Sequence, residues 1–111
     1  MNMINSVILE GVVVEDATLF EVTKDFSVCK FQIEVTRKLM HDDKEVSKFN
    51  IEGFGDLGKR LQSKARKDKK IRIVGRLKEE NQIGITDALH PEPVTITKIY
   101  VVAEHFEIIK D

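Results

Sequence analysis

The most strongly charged part of the chain is a basic run from Lys59 to Lys78. It contains ten basic residues and one acid, Asp68, a net charge of +9 within a chain whose overall formal charge is -1. The basic residues are Lys59, Arg60, Lys64, Arg66, Lys67, Lys69, Lys70, Arg72, Arg76 and Lys78. Such a run forms either a solvated face or a surface that binds a polyanion, and the fold must decide between these alternatives.

No pattern typical of an enzyme or a metal site accompanies this run. His41, His90 and His105 are dispersed, and the sequence has no glycine-rich phosphate loop, no Cys/His cluster and no carboxylate pair at an acid/base spacing. His41 stands beside two aspartates, which a polar turn explains better than a metal. The lone Cys29 is expected to be an inert, buried thiol. We therefore expect no catalytic residues, no cofactor and no metal.

Length and composition indicate one soluble domain. The 111 residues suffice for one modest core, so we expect a single domain over residues 1–111. The proportions of 41% hydrophobic and 33% charged residues are typical of globular rather than disordered or membrane proteins. The apolar runs are too short to span a bilayer, and the N-terminus lacks a basic leader and an apolar signal core. We expect no membrane association and a cytoplasmic location.

The first half of the chain predicts three β-strands, over Asn5–Val14, Ser27–Lys38 and Glu45–Phe54. The second strand alternates, and its apolar face holds Cys29, Phe31, Ile33 and Val35. The third strand places Phe49 and Ile51 on one face. Its other face holds Lys48, Asn50, Glu52 and Phe54.

The apolar period then changes to that of a short helix between Asp56 and Ala65. Leu57, Leu61 and Ala65 recur every four residues, and Asp56 is a suitable N-cap, although Gly58 lowers the helix propensity.

Two further strands follow the helix. Ile71–Leu77, with Gly75 inside, is the fourth, and Val94–Ile109 is a long, β-branched fifth. Glu79–Pro93 between them has turn residues and two prolines and predicts a long loop or a distorted hairpin. The element order predicts an all-β protein, a five-stranded OB-fold barrel with one short helix between strands 3 and 4.

Several short segments occur in the order and spacing of one known family. They are Asn5–Gly11, Val28-Cys29-Lys30-Phe31, Phe54-Gly55-Asp56-Leu57-Gly58, Val74-Gly75-Arg76-Leu77 and Val101–His105. Together they resemble the bacterial single-stranded-DNA-binding proteins over nearly the whole chain. The resemblance implies an OB fold, sequence-tolerant binding of single-stranded DNA and a homo-oligomer, with a tetramer favoured over a dimer.

Two features depart from the family's pattern. The family stacks bases on tryptophans, whereas this chain has none, and Leu39, Lys48 and Gln82 stand about where they are expected. Typical members end in a glycine-rich tail with an acidic tip that recruits replication and repair proteins. This sequence ends without one, so we expect no acidic C-terminal tail and leave such protein partners open.

Phe54 is the best candidate for stacking on a DNA base, because it falls at an aromatic position of the family and shares a face with Lys48 and Asn50. A core position is the alternative reading. Phe49 shares parity with Ile51, which favours the core or a subunit interface over a DNA contact. Phe31 is expected in the core, and Phe20 and Phe26 either stack on DNA or cap the barrel.

Basic residues near the expected groove are candidates for phosphate contacts. Arg37 and Lys38 end the second strand. Arg76 and Lys78 lie at the end of the fourth strand, at basic family positions. Lys48 shares the face of Phe54. The basic residues from Lys59 to Lys70 belong to or follow a helix that closes the barrel bottom, away from the usual binding face. Glu52 opposes this scheme, so either it pairs with a lysine or this face is less basic than the others predict.

The leading hypothesis is a non-catalytic, nucleoid-associated protein that binds and protects single-stranded DNA in replication, recombination and repair. A tail-less primosomal replication protein of the same fold and an OB-fold protein-interaction module are the alternatives.

Overall fold

Strands make up most of the chain in the structure, a computed structural model that describes residues 2–85, 89 and 92–110. The strands are β1 (Val7–Val13), β2 (Thr18–Thr23), β3 (Phe26–Lys38), β4 (Lys44–Phe54), β5 (Lys70–Ile85) and β6 (Pro93–Ile109). One α-helix, α1 (Gly55–Lys64), connects β4 to β5, and a short 3-10 turn (Met40–Asp42) connects β3 to β4.

Five of these strands close into a ring in the order β1-β5-β6-β4-β3, because β1 pairs with strands on both of its sides. It runs antiparallel to β5 from Val7↔Gly75 to Val12↔Lys70, and its end then pairs with β3 through Val13↔Ile33. The contact of β4 with β6 is parallel. The predicted five-stranded OB-type barrel, with its helix between the third and fourth strands of the ring, is confirmed.

The strand β2 is an addition that the sequence did not predict. It pairs with β3 from Thr18↔Lys30 to Thr23↔Phe26 and lies at the end of the strand order. Its six residues lie in what reads as a connection, and most of them are exposed, so no clear apolar face marks them as a strand.

The barrel interior is filled by the inward residues of the alternating strands. Cys29 and Ile33 of β3 are fully buried, and Ile51 of β4, Ile71 and Ile73 of β5 and Val101 of β6 lie with them in one core cluster. Phe31 belongs to the same cluster, as the alternation of β3 predicts. The opposite, outward residues of β3 and β4 are therefore available for a surface function.

The helix α1 closes one end of the barrel, with Leu61 and the following Ala65 fully buried. Its predicted N-cap was wrong, because the helix begins at Gly55 with Phe54 in the cap position. Asp56 lies in the first turn, where its carboxylate interacts favourably with the positive end of the helix dipole. Gly58 has a packing role, since a Cβ there would lie 2.5 Å from the carbonyl oxygen of Gly53 in β4. Within the described residues no helix has the length and apolar character needed to cross a membrane.

The segment predicted as a long loop or distorted hairpin is mostly a regular ribbon. Strands β5 and β6 pair from Lys70↔Ile109 to Ile85↔Pro93, and the loop interpretation of Glu79–Pro93 was wrong over Glu79–Ile85. Cross-strand pairing there overrides the low strand propensity of Glu79 to Gln82. Residues 86–88, 90 and 91 of that segment lie outside the described residues.

A bulge interrupts the ribbon where it joins the barrel. Val74 pairs with His105 and Gly75 pairs with Ala103, so Glu104 is an extra residue in β6. A side chain at Gly75 would collide with the carbonyl oxygen of Val102. The bulge increases the local twist and thereby directs the ribbon away from the barrel.

Candidate nucleic-acid interface

Four aromatic side chains lie on the outward face of the sheet, where pairing brings distant segments together. Phe20 of β2 is opposite Val28, which is in turn opposite Phe54 at the end of β4. The rings of Phe26 and Phe54 are stacked, with centroids 5.8 Å apart and planes at 19°. Tyr100 of β6 lies on the same side of the sheet as Lys78, its cross-strand partner.

Two lysines complete this surface by lying over the rings. The Nζ of Lys78 is 5.4 Å from the ring centroid of Phe54. The Nζ of Lys30 is 6.0 Å from the ring centroid of Phe20 and 5.9 Å from that of Tyr100. An ammonium at such distances is attracted by the negative face of the ring. We call these six residues the aromatic face: Phe20, Phe26, Lys30, Phe54, Lys78 and Tyr100.

The aromatic face has the two components that binding of single strands requires. Phe20 and Phe26 are 49% and 44% exposed, and Phe54 is half-buried, so parts of several rings remain open to solvent. Bases of any sequence can stack on such rings, and ammonium groups beside rings can contact the phosphates that link the bases.

Glu52 introduces one carboxylate beneath this face. Its side chain is only 4% exposed, and its Oε2 lies 3.8 Å from the Nζ of Lys78. Its Oε1 is buried and accepts no hydrogen bond from the described residues. Of the two outcomes expected for Glu52, pairing with a lysine is the one observed. The Lys78 ammonium is therefore close both to the Glu52 carboxylate and to the Phe54 ring.

A groove of about 480 Å³ adjoins the aromatic face at Lys30. Gln32, Asn50 and Lys98 line it together with Phe20 and Tyr100. Two acids also line the groove, but Asp16 pairs with Arg66 at 3.0 Å and Glu15 with Lys67 at 3.9 Å. The groove therefore offers amide and ammonium donors beside largely compensated carboxylates.

Two further predicted residues lie on the same side of the sheet. Arg76 is exposed two residues before Lys78 on β5, so the two side chains share a face. Lys48 is exposed on the outward face of β4, opposite Glu34. It stands six residues from Phe54, about 20 Å along the strand, at the margin of this surface.

Three predicted residues are not brought to the aromatic face. Arg37 and Lys38 lie at the end of the β3–β4 hairpin, opposite Glu45 and Lys44. Lys38 is eight residues from Lys30, about 26 Å along β3. Phe49 lies on the inward face of β4, partly buried against the core cluster, so its parity with Ile51 was the better guide to its position.

Lys30, Lys98 and Tyr100 also lie at this surface, and Lys30 and Lys98 were not predicted from the sequence. The alternation of β3 already placed Lys30 on the polar face, and that signal was sufficient to identify it. The positions of Tyr100 and Lys98 depend on the register between β5 and β6, which the sequence alone does not reveal.

The groups with potential for covalent or metal chemistry lie elsewhere. Burial raises the pKa of the Cys29 thiol to about 11, which keeps it protonated and poorly nucleophilic at neutral pH. Among the described residues, no three His, Cys, Asp or Glu side chains are grouped in a way that could hold a metal ion.

Comparison with known proteins agrees with this geometry. The sequence model of the single-strand binding protein family matches residues 4–109, nearly the whole chain. No curated protein matches the chain significantly.

Proposed function

The chain belongs to the single-strand binding protein family, and from this premise we propose that its aromatic face binds single-stranded DNA without regard to sequence. The observation that carries the proposal is the alternation of rings and ammonium groups. Lys78 lies over Phe54, and Lys30 lies between Phe20 and Tyr100. Among the described residues one further cation lies over a ring, Arg60 over Phe106, but no second ring is stacked on that one.

Binding would proceed by stacking and counterion release. Bases stack on the exposed parts of Phe20, Phe26 and Phe54, and the lysines contact the phosphates that link those bases. The positive charge is extended along the path of the DNA by Arg76, Lys98 and Lys48. Because stacking uses the flat face that every base has, the surface discriminates weakly between bases.

A duplex fits this surface poorly. Its bases are stacked on each other and paired at their edges, so the rings of the aromatic face gain no partner. The same lysines can contact a duplex only through its phosphates. We infer a protein that covers and protects single strands during replication, recombination and repair and that performs no chemistry on them.

We further propose that the chain forms a homo-oligomer. Strand β2 is an edge in the described sheet, and unpaired strand edges are commonly covered by another chain. Ile8 is 69% exposed on the outward face of β1, and burial of this apolar side chain between two copies would favour association. Light scattering at micromolar concentration should give at least a dimer, and a monomer would contradict this proposal.

Base tolerance is tested by titrating labelled oligo-dT, oligo-dC and oligo-dA of equal length under one buffer condition. If stacking and phosphate contacts supply the affinity, the three dissociation constants should agree within about tenfold. A preference of more than about a hundredfold for one base would show readout of base edges and would contradict a sequence-tolerant surface.

A further inference from the structure

The basic residues that follow Lys59 in sequence form a second surface, separate from the aromatic face. Arg60 and Lys64 lie one turn apart on α1, and Arg66 and Lys69 follow in the connection to β5. These four residues line one side of a cleft of about 520 Å³ whose other side includes Phe106 and Ile108 of β6. We call it the basic cleft.

Most of the charge in the basic cleft is not used within the chain. Arg66 pairs with Asp16, whereas Arg60, Lys64 and Lys69 make no ion pair with any described residue. The one acid lining the cleft, Glu107, lies 3.7 Å from Arg72 and 3.9 Å from His105. The cleft therefore presents three uncompensated cations to a ligand.

The positive surface continues beyond this cleft. An adjoining cleft of about 360 Å³ shares Lys69 and adds Lys67, Lys70 and Lys110, and Asp68 is the one acid among the described residues that line it. Cations arranged along two connected clefts fit a linear polyanion better than a single small anion.

The chemistry of the cleft favours a phosphate backbone over an acidic protein segment. A protein interface is usually centred on a buried apolar or aromatic anchor. Here the one ring, Phe106, is half-buried against the core and has the Arg60 guanidinium 5.9 Å from its centroid. The surface thus offers several cations and a single half-buried ring, in contrast to the four rings of the aromatic face.

We propose that the basic cleft is a second nucleic-acid contact, which binds the phosphate backbone of the same single strand regardless of its bases. This inference rests on the proposed function of the aromatic face. Strand β6 connects the two surfaces, and Tyr100 and Phe106 are six residues apart, about 20 Å along the strand. At a rise of about 3.4 Å per nucleotide, a stacked strand needs roughly six nucleotides to cover that distance.

Strand length therefore separates the two surfaces experimentally. A 4-nucleotide oligo-dT, about 14 Å long when stacked, can lie on the aromatic face but is too short to reach the basic cleft, whereas a 24-nucleotide oligo-dT reaches both surfaces. The test measures the affinity of both probes for the full chain and for Arg60→Gln/Lys64→Gln, with thermal melts to show that the variant is folded.

The double variant should bind the 24-nucleotide probe on the order of tenfold more weakly at about 50 mM salt, and its log–log salt slope should fall by about 1.4, or 0.7 for each lost phosphate contact. Binding of the 4-nucleotide probe should change less than about twofold. Lys59→Gln is the matched control for the single variants Arg60→Gln and Lys64→Gln, because Lys59 is exposed on the same helix but lines neither cleft.

An equal loss for both probes would overturn the inference by showing only a general effect of net charge. No loss for either probe would also overturn it and would leave an acidic protein segment as the ligand class. If the unmodified chain bound neither probe, the proposed function itself would fail, which is a different result from a failure of the basic cleft alone.

Discussion

Phe54 contacts two groups that give its ring different roles. Its stacking on Phe26 stabilises the fold, whereas its contact with Lys78 combines a ring with a cation at the proposed DNA surface. The side chain is half-buried, between the exposed and core positions that the sequence left open. A substitution at this residue therefore affects affinity and stability to different degrees.

We expect Phe54→Ala to lower the affinity for oligo-dT by about 1 to 3 kcal/mol, the value of one base stack. Loss of the Phe26 contact should lower the free energy of unfolding by about 0.5 to 1.5 kcal/mol. Phe31→Ala is the control for a core ring and should cost about 3 to 5 kcal/mol of stability. The account of Phe54 is wrong if its variant melts like Phe31→Ala, or if it binds as tightly as the unmodified chain.

In the proposed interface, Glu52 should limit the contribution of Lys78 to DNA binding, because the ammonium is already close to a buried carboxylate. Glu52→Gln should release Lys78 for an additional phosphate contact and raise the affinity, with an increase of about 0.7 in the log–log salt slope. Titrations at several salt concentrations measure both quantities.

Glu79→Gln is the control for Glu52→Gln. Glu79 is exposed on β5 beside Lys78, and strand alternation places it on the opposite face. The interpretation fails if the two variants change affinity and salt slope equally, since general charge removal would then explain the effect.

At the level of secondary-structure elements, period and alternation predicted most of the barrel. They separated Cys29, Phe31 and Ile33 from the outward residues of β3, and they identified the helix that contains Leu57 and Leu61. They did not reveal β2 or the continuation of β5 beyond Leu77, because both depend on pairing with a neighbour rather than on their own pattern. The site was incompletely predicted for the same reason, since cross-strand register places Lys30 beside Phe20 and Tyr100.

The contact of α1 with β4 gives a prediction at Gly58. Alanine has a higher helix propensity than glycine by about 1 kcal/mol, which alone would stabilise α1. A Cβ at this position would lie 2.5 Å from the Gly53 carbonyl oxygen, a backbone atom that cannot rotate away. Overpacking costs about 1 to 3 kcal/mol, so Gly58→Ala should lower the stability overall.

Denaturant unfolding measures this change, and Gln62→Ala, at an exposed position of the same helix, is the control that should be neutral or slightly stabilising. An increase in stability for Gly58→Ala would show that the helix does not depend on this close contact.

The whole molecule combines a nearly neutral net charge with two separate positive surfaces. Acids such as Asp16 and Glu107 lie next to arginines, whereas Lys30 and Lys78 face aromatic rings. The overall charge of -1 therefore gives little information about the ligand, and the local arrangement decides it.

The most direct test compares binding of one labelled oligo-dT with binding of a duplex of matching length, at about 50 mM and about 200 mM salt. The account predicts clear preference for the single strand at both concentrations, because only single strands offer bases to the aromatic face. It also predicts that affinity for the single strand falls with salt and that part of it remains through stacking. Equal affinity for the two forms, or no binding of the single strand at the lower salt concentration, would contradict the account.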